Sequence, residues 1–251
     1  MPSASQGCDE IRVVLSAERP SSCANWLRLD PSQTAAMFIV RQTFGVRDAE
    51  EPAQLTITCV DGDGRPAHLT PAALDVALGS CGLFVGGAAA MFAAWAREFE
   101  RHTNELPLFD QRRSDAAGGD PNIRYYHSYW RLRPSQVLVI TFTPPPCRCW
   151  NFQLNNHWME SLDYRYYDVH TNSDLAWTQP DGSCTIVVSI DDPPDDHTRH
   201  SLGRNWLVTA GHTCGTMCFR YVAPRLPPDQ PLPHPRVEVR AASENSGIYC
   251  S

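Results

Sequence analysis

Residues 147–165, Cys-Arg-Cys-Trp-Asn-Phe-Gln-Leu-Asn-Asn-His-Trp-Met-Glu-Ser-Leu-Asp-Tyr-Arg, carry side chains whose types and spacing suit ligand binding. Read with period two, Trp150, Phe152, Leu154 and Trp158 fall on one side, with Asn156 the exception. Asn151, Gln153, Asn155 and His157 fall on the other. A strand with one face in a core alternates in this way. The polar side holds amides and an imidazole in place of the Lys, Glu and Thr of a solvated sheet. Amides offer donors and acceptors without the desolvation cost of an ion. Such a face suits a recess for a neutral polar ligand, sugar-like or hydroxylated, with Trp130, Trp158 or Trp206 supplying a flat apolar surface. The plainer reading is a solvated sheet face or an internal amide network.

A second set of groups permits an enzyme reading. Glu160 and Asp163 are carboxylates close in sequence, beside Tyr164 and Arg165. With His212 they could do acid–base work, and Arg220 could clamp developing charge, provided all converge on one pocket. An ion-paired corner explains Glu160 and Asp163 more simply. His212, Cys214 and Cys218 contain zinc-ligand types, with Cys147, Cys149 or Cys184 as a fourth, but His-x-Cys-x3-Cys is no standard finger spacing. Buried cysteines acting as small hydrophobes fit better. Neither a metal nor a cofactor is expected. Asp61-Gly62-Asp63-Gly64 lacks the other positions of a calcium loop and reads as a turn, as does the acidic run Asp191 to Asp196. No phosphate-binding loop, dinucleotide fingerprint, Gly-x-Ser-x-Gly elbow or His-Glu-x-x-His is present.

The elements that must position these groups change in character near Arg112. Residues 1–20 are polar and read as a flexible N-terminus. Residues 21–111 read as a helical part: a helix within Trp26–Val46 after Asp30-Pro31-Ser32, one opening at Thr70-Pro71, and another over 83–102. Leu55–Val60 reads as a short strand. Residues 112–223 read as a β domain with strands Arg124–Leu132, Val137–Thr143, Trp150–His157, Asp163–His170, Cys184–Ile190 and Thr216–Val222. Residues 224–251 begin with a Pro-rich run and read as an extended, disordered tail. The expected fold is α+β, an N-terminal helical layer packed on an antiparallel β-sandwich or jelly roll.

The formal net charge of −7 and the lack of a basic stripe argue against nucleic acid and anionic membrane surfaces as partners. The apolar run from Cys81 to Ala96 is short for a bilayer and reads as a packed helix, so no membrane partner is expected. The start Met-Pro-Ser-Ala-Ser-Gln-Gly-Cys has no secretory pattern, so the ten cysteines read as thiols of a soluble, cytoplasmic protein. A third role, an accessory domain binding a protein partner through an exposed apolar patch, stays open. Oligomeric state is not legible.

The stretch from Cys147 to Arg165 resembles the signature of proteins carrying the domain of unknown function 1214. The turn Pro180-Asp181-Gly182-Ser183, then Asn205-Trp206-Leu207, Gly211-His212 and Arg220, is similar to that family's closing motifs. Phe38-Ile39-Val40-Arg41-Gln42-Thr43-Phe44 is similar to the segment preceding the domain in some members. The resemblance covers roughly residues 24–223. It departs from the pattern at His157, where Arg is more familiar, and at Cys214. It implies a jelly-roll-like β-sandwich and no catalytic residues. The motif positions are Trp150, Asn151, Gln153, Trp158, Glu160, Asp163, Arg165, Asn205, Trp206, Gly211, His212 and Arg220.

Overall fold

A computed structural model describes residues 10–33, 38–62, 65, 68–192, 205–227 and 229–242. The chain divides into two compact units, Met1–Thr43 and Phe44–Ser251. In the first, β1 (Val14–Ser16) and β2 (Trp26–Arg28) pair in parallel. The Trp26 indole N–H donates to Ser16 Oγ at 2.9 Å.

The second unit is α+β. It opens with a 3-10 turn, Arg47–Ala49, and a long helix, α1 (Pro71–Phe99), which runs into a second 3-10 turn, Glu100–His102. A short helix α2 (Gln111–Ala116) follows, then eight strands: β3 (Ile123–Arg131), β4 (Gln136–Phe142), β5 (Cys149–Leu154), β6 (His170–Asn172), β7 (Cys184–Ser189), β8 (Trp206–Val208), β9 (Cys214–Val222) and β10 (Arg236–Ala241). They form two four-stranded sheets, ordered β10-β4-β7-β8 and β3-β9-β5-β6. Every pairing is antiparallel except β7 with β8.

One hydrophobic cluster draws on both sheets. Leu138, Ile140, Phe142, Ile186, Val188 and Leu207 come from one, and Tyr126, Trp130, Trp150, Phe152, Phe219 and Tyr221 from the other. Phe142 meets the rings of Phe219 and Trp150 edge-on at 4.7 and 4.8 Å. Truncating such a buried ring costs about 3–5 kcal/mol, so these contacts hold the two sheets in register. The burial of β5 alternates as its sequence does, with Trp150, Phe152 and Leu154 inside.

The N-terminal part of the chain departs from expectation. No helix forms over the described part of residues 30–46, and Trp26 lies in a strand; residues 34–37 are outside the description. Ile39, Val40, Thr43 and Val46 are β-branched and lose rotamer freedom in a helix, and Phe38, Ile39 and Val40 stand exposed with no packed face to repay it. Leu55–Val60 forms no strand, since none of its backbone groups pairs with another segment among the described residues. The two helices expected over 70–102 are one. Thr70 caps it, its hydroxyl accepting from the Ala73 N–H at 3.2 Å, and Pro71 occupies its first turn. The apolar run within α1 is not packed: Leu83, Phe84 and Val85 are 80%, 74% and 66% exposed. Only the last turns dock, through Ala96 and Phe99. The C-terminal segment is no disordered extension over 236–241, where β10 pairs along β4. The strand expected over Asp163–His170 does not form, because residues 163–167 turn back on the Asp163 carbonyl; β6 begins only at His170.

Candidate functional site

The polar side of β5 faces away from the shared core and lies half-buried on the outer face of the β3-β9-β5-β6 sheet. Register dictates its neighbours. Asn151 lies opposite Arg220 of β9 and Asn172 of β6, and Gln153 opposite Cys218 and His170. On the far side of β9, Arg220 faces Tyr125 and Cys218 faces His127. Two rows of polar and aromatic side chains therefore cross four strands.

Arg220 binds the amides together. One Nη1 donates to Asn151 Oδ1 at 3.0 Å and to Gln153 Oε1 at 2.9 Å. The Gln153 amide donates onward to Asn155 Oδ1 at 2.8 Å. The guanidinium carbon sits 5.6 Å from the centre of the Tyr125 ring. Among the described residues no carboxylate pairs with Arg220, so its charge is balanced by amide dipoles and an aromatic face alone. Asn155 is nearly buried, and its backbone N–H donates to the Thr216 carbonyl at 2.8 Å. His157 Nδ1 lies 2.9 Å from the Tyr129 hydroxyl, whose pKa burial and a hydrogen bond to Cys214 push up. Tyr129 therefore keeps its proton.

The loop beyond β5 is built by Asn156. Its Oδ1 accepts from the backbone N–H groups of Trp158 and Glu160 at 2.9 and 3.1 Å, and its amide donates to Glu160 Oε2 at 2.7 Å. Met159 takes φ 65° to close the turn. The result projects Trp158, 58% exposed, with its ring edge-on to His157 at 4.8 Å. Tyr164, Tyr166 and Tyr167 are also exposed in the segment that follows. Asp163 is ion-paired with Arg165 at 2.9 Å, which holds its carboxyl below the usual range.

Other residues singled out in the sequence go elsewhere. Trp130 is fully buried, its indole N–H donating to the Thr216 and Asn155 carbonyls. Trp206 opens β8 of the other sheet, and Asn205 immediately precedes it. The buried Asn205 amide donates to the Trp177 and Thr185 carbonyls at 2.8 and 2.9 Å, and its Oδ1 accepts from the Trp177 N–H. Trp206 packs with Val137, Val139, Val187 and Val208. The structure does not bring either to the amide face. Gly211 takes φ 82° in the turn before β9, a conformation that favours glycine, and His212 lies exposed there. No hydrogen bond or ion pair among the described residues joins His212 to Glu160 or Asp163. No group of three or more metal-ligating side chains converges among the described residues.

The sequence reading missed His127. Its ring is stacked between Phe99 and Tyr125, at 5.1 and 5.3 Å, with Phe109 edge-on at 5.1 Å. Burial, then the charge of Arg220, depresses its pKa to about 3. It borders a recess of about 160 Å3 that Glu98, His102, Asp110 and Arg113 also line. Glu98 and Arg113 form a two-point ion pair across it. The alternation Tyr125, His127, Tyr129 along β3 carried the signal, since the same period that placed Asn151 and Gln153 places these three on the same face.

Neither a family model nor a curated protein sequence matches the chain. Among solved structures, an uncharacterized protein from Burkholderia cenocepacia is 40% identical and superposes with a TM-score of 0.78. That match covers 92% of this chain and 60% of the Burkholderia chain, so the protein spans about three fifths of that relative's length. The VPA0106 protein from Vibrio parahaemolyticus is 15% identical over 68% of this chain and 47% of its own, with a TM-score of 0.38.

Proposed function

We propose that residues 112–223 form a jelly-roll-like β-sandwich of the kind associated with the domain of unknown function 1214, and that the outer face of its β3-β9-β5-β6 sheet binds a small hydroxylated ligand. The observation that carries the binding reading is Arg220, a half-buried guanidinium held among Asn151, Gln153 and Tyr125 with no carboxylate partner described. Its remaining N–H groups suit ligand acceptor oxygens. Trp158 offers an exposed flat ring on the loop leaving β5. The acid–base alternative lacks comparable support, because Glu160 and Asp163 are each engaged in shaping the loop. The cysteines Cys23, Cys59, Cys81, Cys147, Cys149, Cys184, Cys214 and Cys218 are free thiols, which favours a cytoplasmic setting.

The test titrates glucose, cellobiose and mannitol against the protein while following tryptophan fluorescence. Saturable quenching is expected for at least one probe. Gln153→Ala should weaken that affinity about tenfold, because Arg220 loses an acceptor that holds its guanidinium in place, while the chain stays folded with a modestly lowered thermal midpoint. Unfolding of Gln153→Ala with no separable binding loss would instead make the amides a purely structural network.

A further inference from the structure

We infer that the recess beside His127 is a second binding site, one that takes a single neutral aromatic ring carrying a hydroxyl, the chemistry of a phenol. It lies within the Phe44–Ser251 unit, where the end of α1, residues 107–110, α2 and β3 meet. Its volume of about 160 Å3 sets the size of the occupant. A cavity of about 150 Å3 lined by apolar side chains holds one benzene molecule. One six-membered ring with a small substituent fills such a space. The walls favour an aromatic guest. Phe99 is buried and Phe109 half-buried, with their rings edge-on at 6.1 Å, and Leu108 adds apolar surface. An aromatic ring makes edge-on and offset contacts with such walls, whereas the hydroxyls of a sugar would lose water against them.

The polar groups of the recess already have partners, with one exception. Glu98 and Arg113 neutralise each other through two hydrogen bonds, Asp110 holds the Arg112 guanidinium and backbone N–H, and His102 meets Glu105. The exception is His127. Phe99 and Tyr125 cover both faces of its ring, so it presents its edge, where both nitrogens lie, to the recess. Neither nitrogen takes part in a hydrogen bond among the described residues. Leaving a largely enclosed imidazole without a partner costs its desolvation free energy, which a ligand group can recover. Burial keeps the ring neutral down to about pH 3, so one nitrogen accepts and the other donates. A hydroxyl matches either nitrogen. A carboxylate matches only the N–H and would face Glu98 and Asp110, and an ammonium matches only the bare nitrogen and would feel the charge of Arg220. The neutral hydroxyl is the group that meets no opposing charge.

The experiment titrates phenol, benzene, benzylamine and benzoate against protein labelled with nitrogen-15 in its histidine rings. Phenol should bind saturably and about fivefold more tightly than benzene, the margin of one net hydrogen bond. The His127 ring nitrogens should shift with phenol and much less with benzene. His127→Phe keeps an aromatic ring in the stack and removes the hydrogen-bond partner, so it should still bind benzene and lose the preference for phenol. Where that variant does not fold, the nitrogen shifts of the native chain decide alone. Glucose should leave the His127 nitrogens unmoved, so failure here and failure of the outer sheet face are read separately. Four results overturn the inference: equal affinity for phenol and benzene, tighter binding of benzylamine or benzoate, phenol shifts confined to other histidines, or no saturable binding of any ring, which would leave the recess to water.

Discussion

At the scale of single residues, the outer sheet face balances one cation without an anion. Arg220 is oriented by Asn151, Gln153 and Tyr125, so the guanidinium is fixed before any ligand arrives, and preorganisation of this kind lowers the cost of binding. His127, largely enclosed beside the recess, is the opposite case: a base kept neutral by three rings and by the neighbouring positive charge. In the unfolded chain its pKa returns to the ordinary value near 6.5. Between pH 6.5 and about 3 the unfolded state therefore binds the extra proton, and stability falls as the pH drops through that window. The slope from one such group is at most about 1.4 kcal/mol per pH unit. Urea unfolding measured from pH 7 to 4 should be less pH-dependent in His127→Phe than in the native chain; equal slopes would contradict the burial of a neutral imidazole. The amide side of β5 was legible from residue types because it alternates with large apolar groups. His127 was not singled out, because an imidazole gains its meaning from the Phe99 and Phe109 rings, which come from elements distant in sequence.

At the scale of elements, β9 is the strand on which the site depends, since it pairs with both β3 and β5. Gly215 allows it. A Cβ there would lie 2.1 Å from the Asn155 carbonyl oxygen and 3.0 Å from the Trp130 indole nitrogen. Gly215→Ala should cost on the order of 3 kcal/mol through this overlap, read as a lowered urea midpoint with an unchanged m-value. A neutral outcome would mean that the strand end can move aside. Longer strands could be read from the sequence, β3 and β9 from aromatic residues that alternate with polar ones, and β4 and β7 from β-branched apolar runs bounded by turn residues. The three-residue β6 and β8 carry too few repeats to register, and β10 follows a Pro-rich run that masks it. The Trp26–Val46 helix failed for the reverse reason. Its spacing fits a helix, but its β-branched residues and absent packing partner do not.

At the scale of the whole molecule, the Phe44–Ser251 unit is unevenly finished. Two sheets share a core of interlocked aromatic rings, whereas α1 and residues 55–60 leave apolar side chains uncovered. This imbalance was hidden in the sequence, because an apolar run announces that burial is needed without saying what supplies the cover. The outer β face rests on the shared core, so it can be tested directly in this chain. The most direct measurement is a titration of the isotopically labelled protein with glucose, cellobiose and mannitol, followed through side-chain amide and guanidinium resonances. Binding at the outer face predicts saturable shifts at the Asn151 and Gln153 amides and the Arg220 guanidinium, lost in Arg220→Met. Silence at these three groups with every probe, or shifts confined to the recess beside His127, would contradict it.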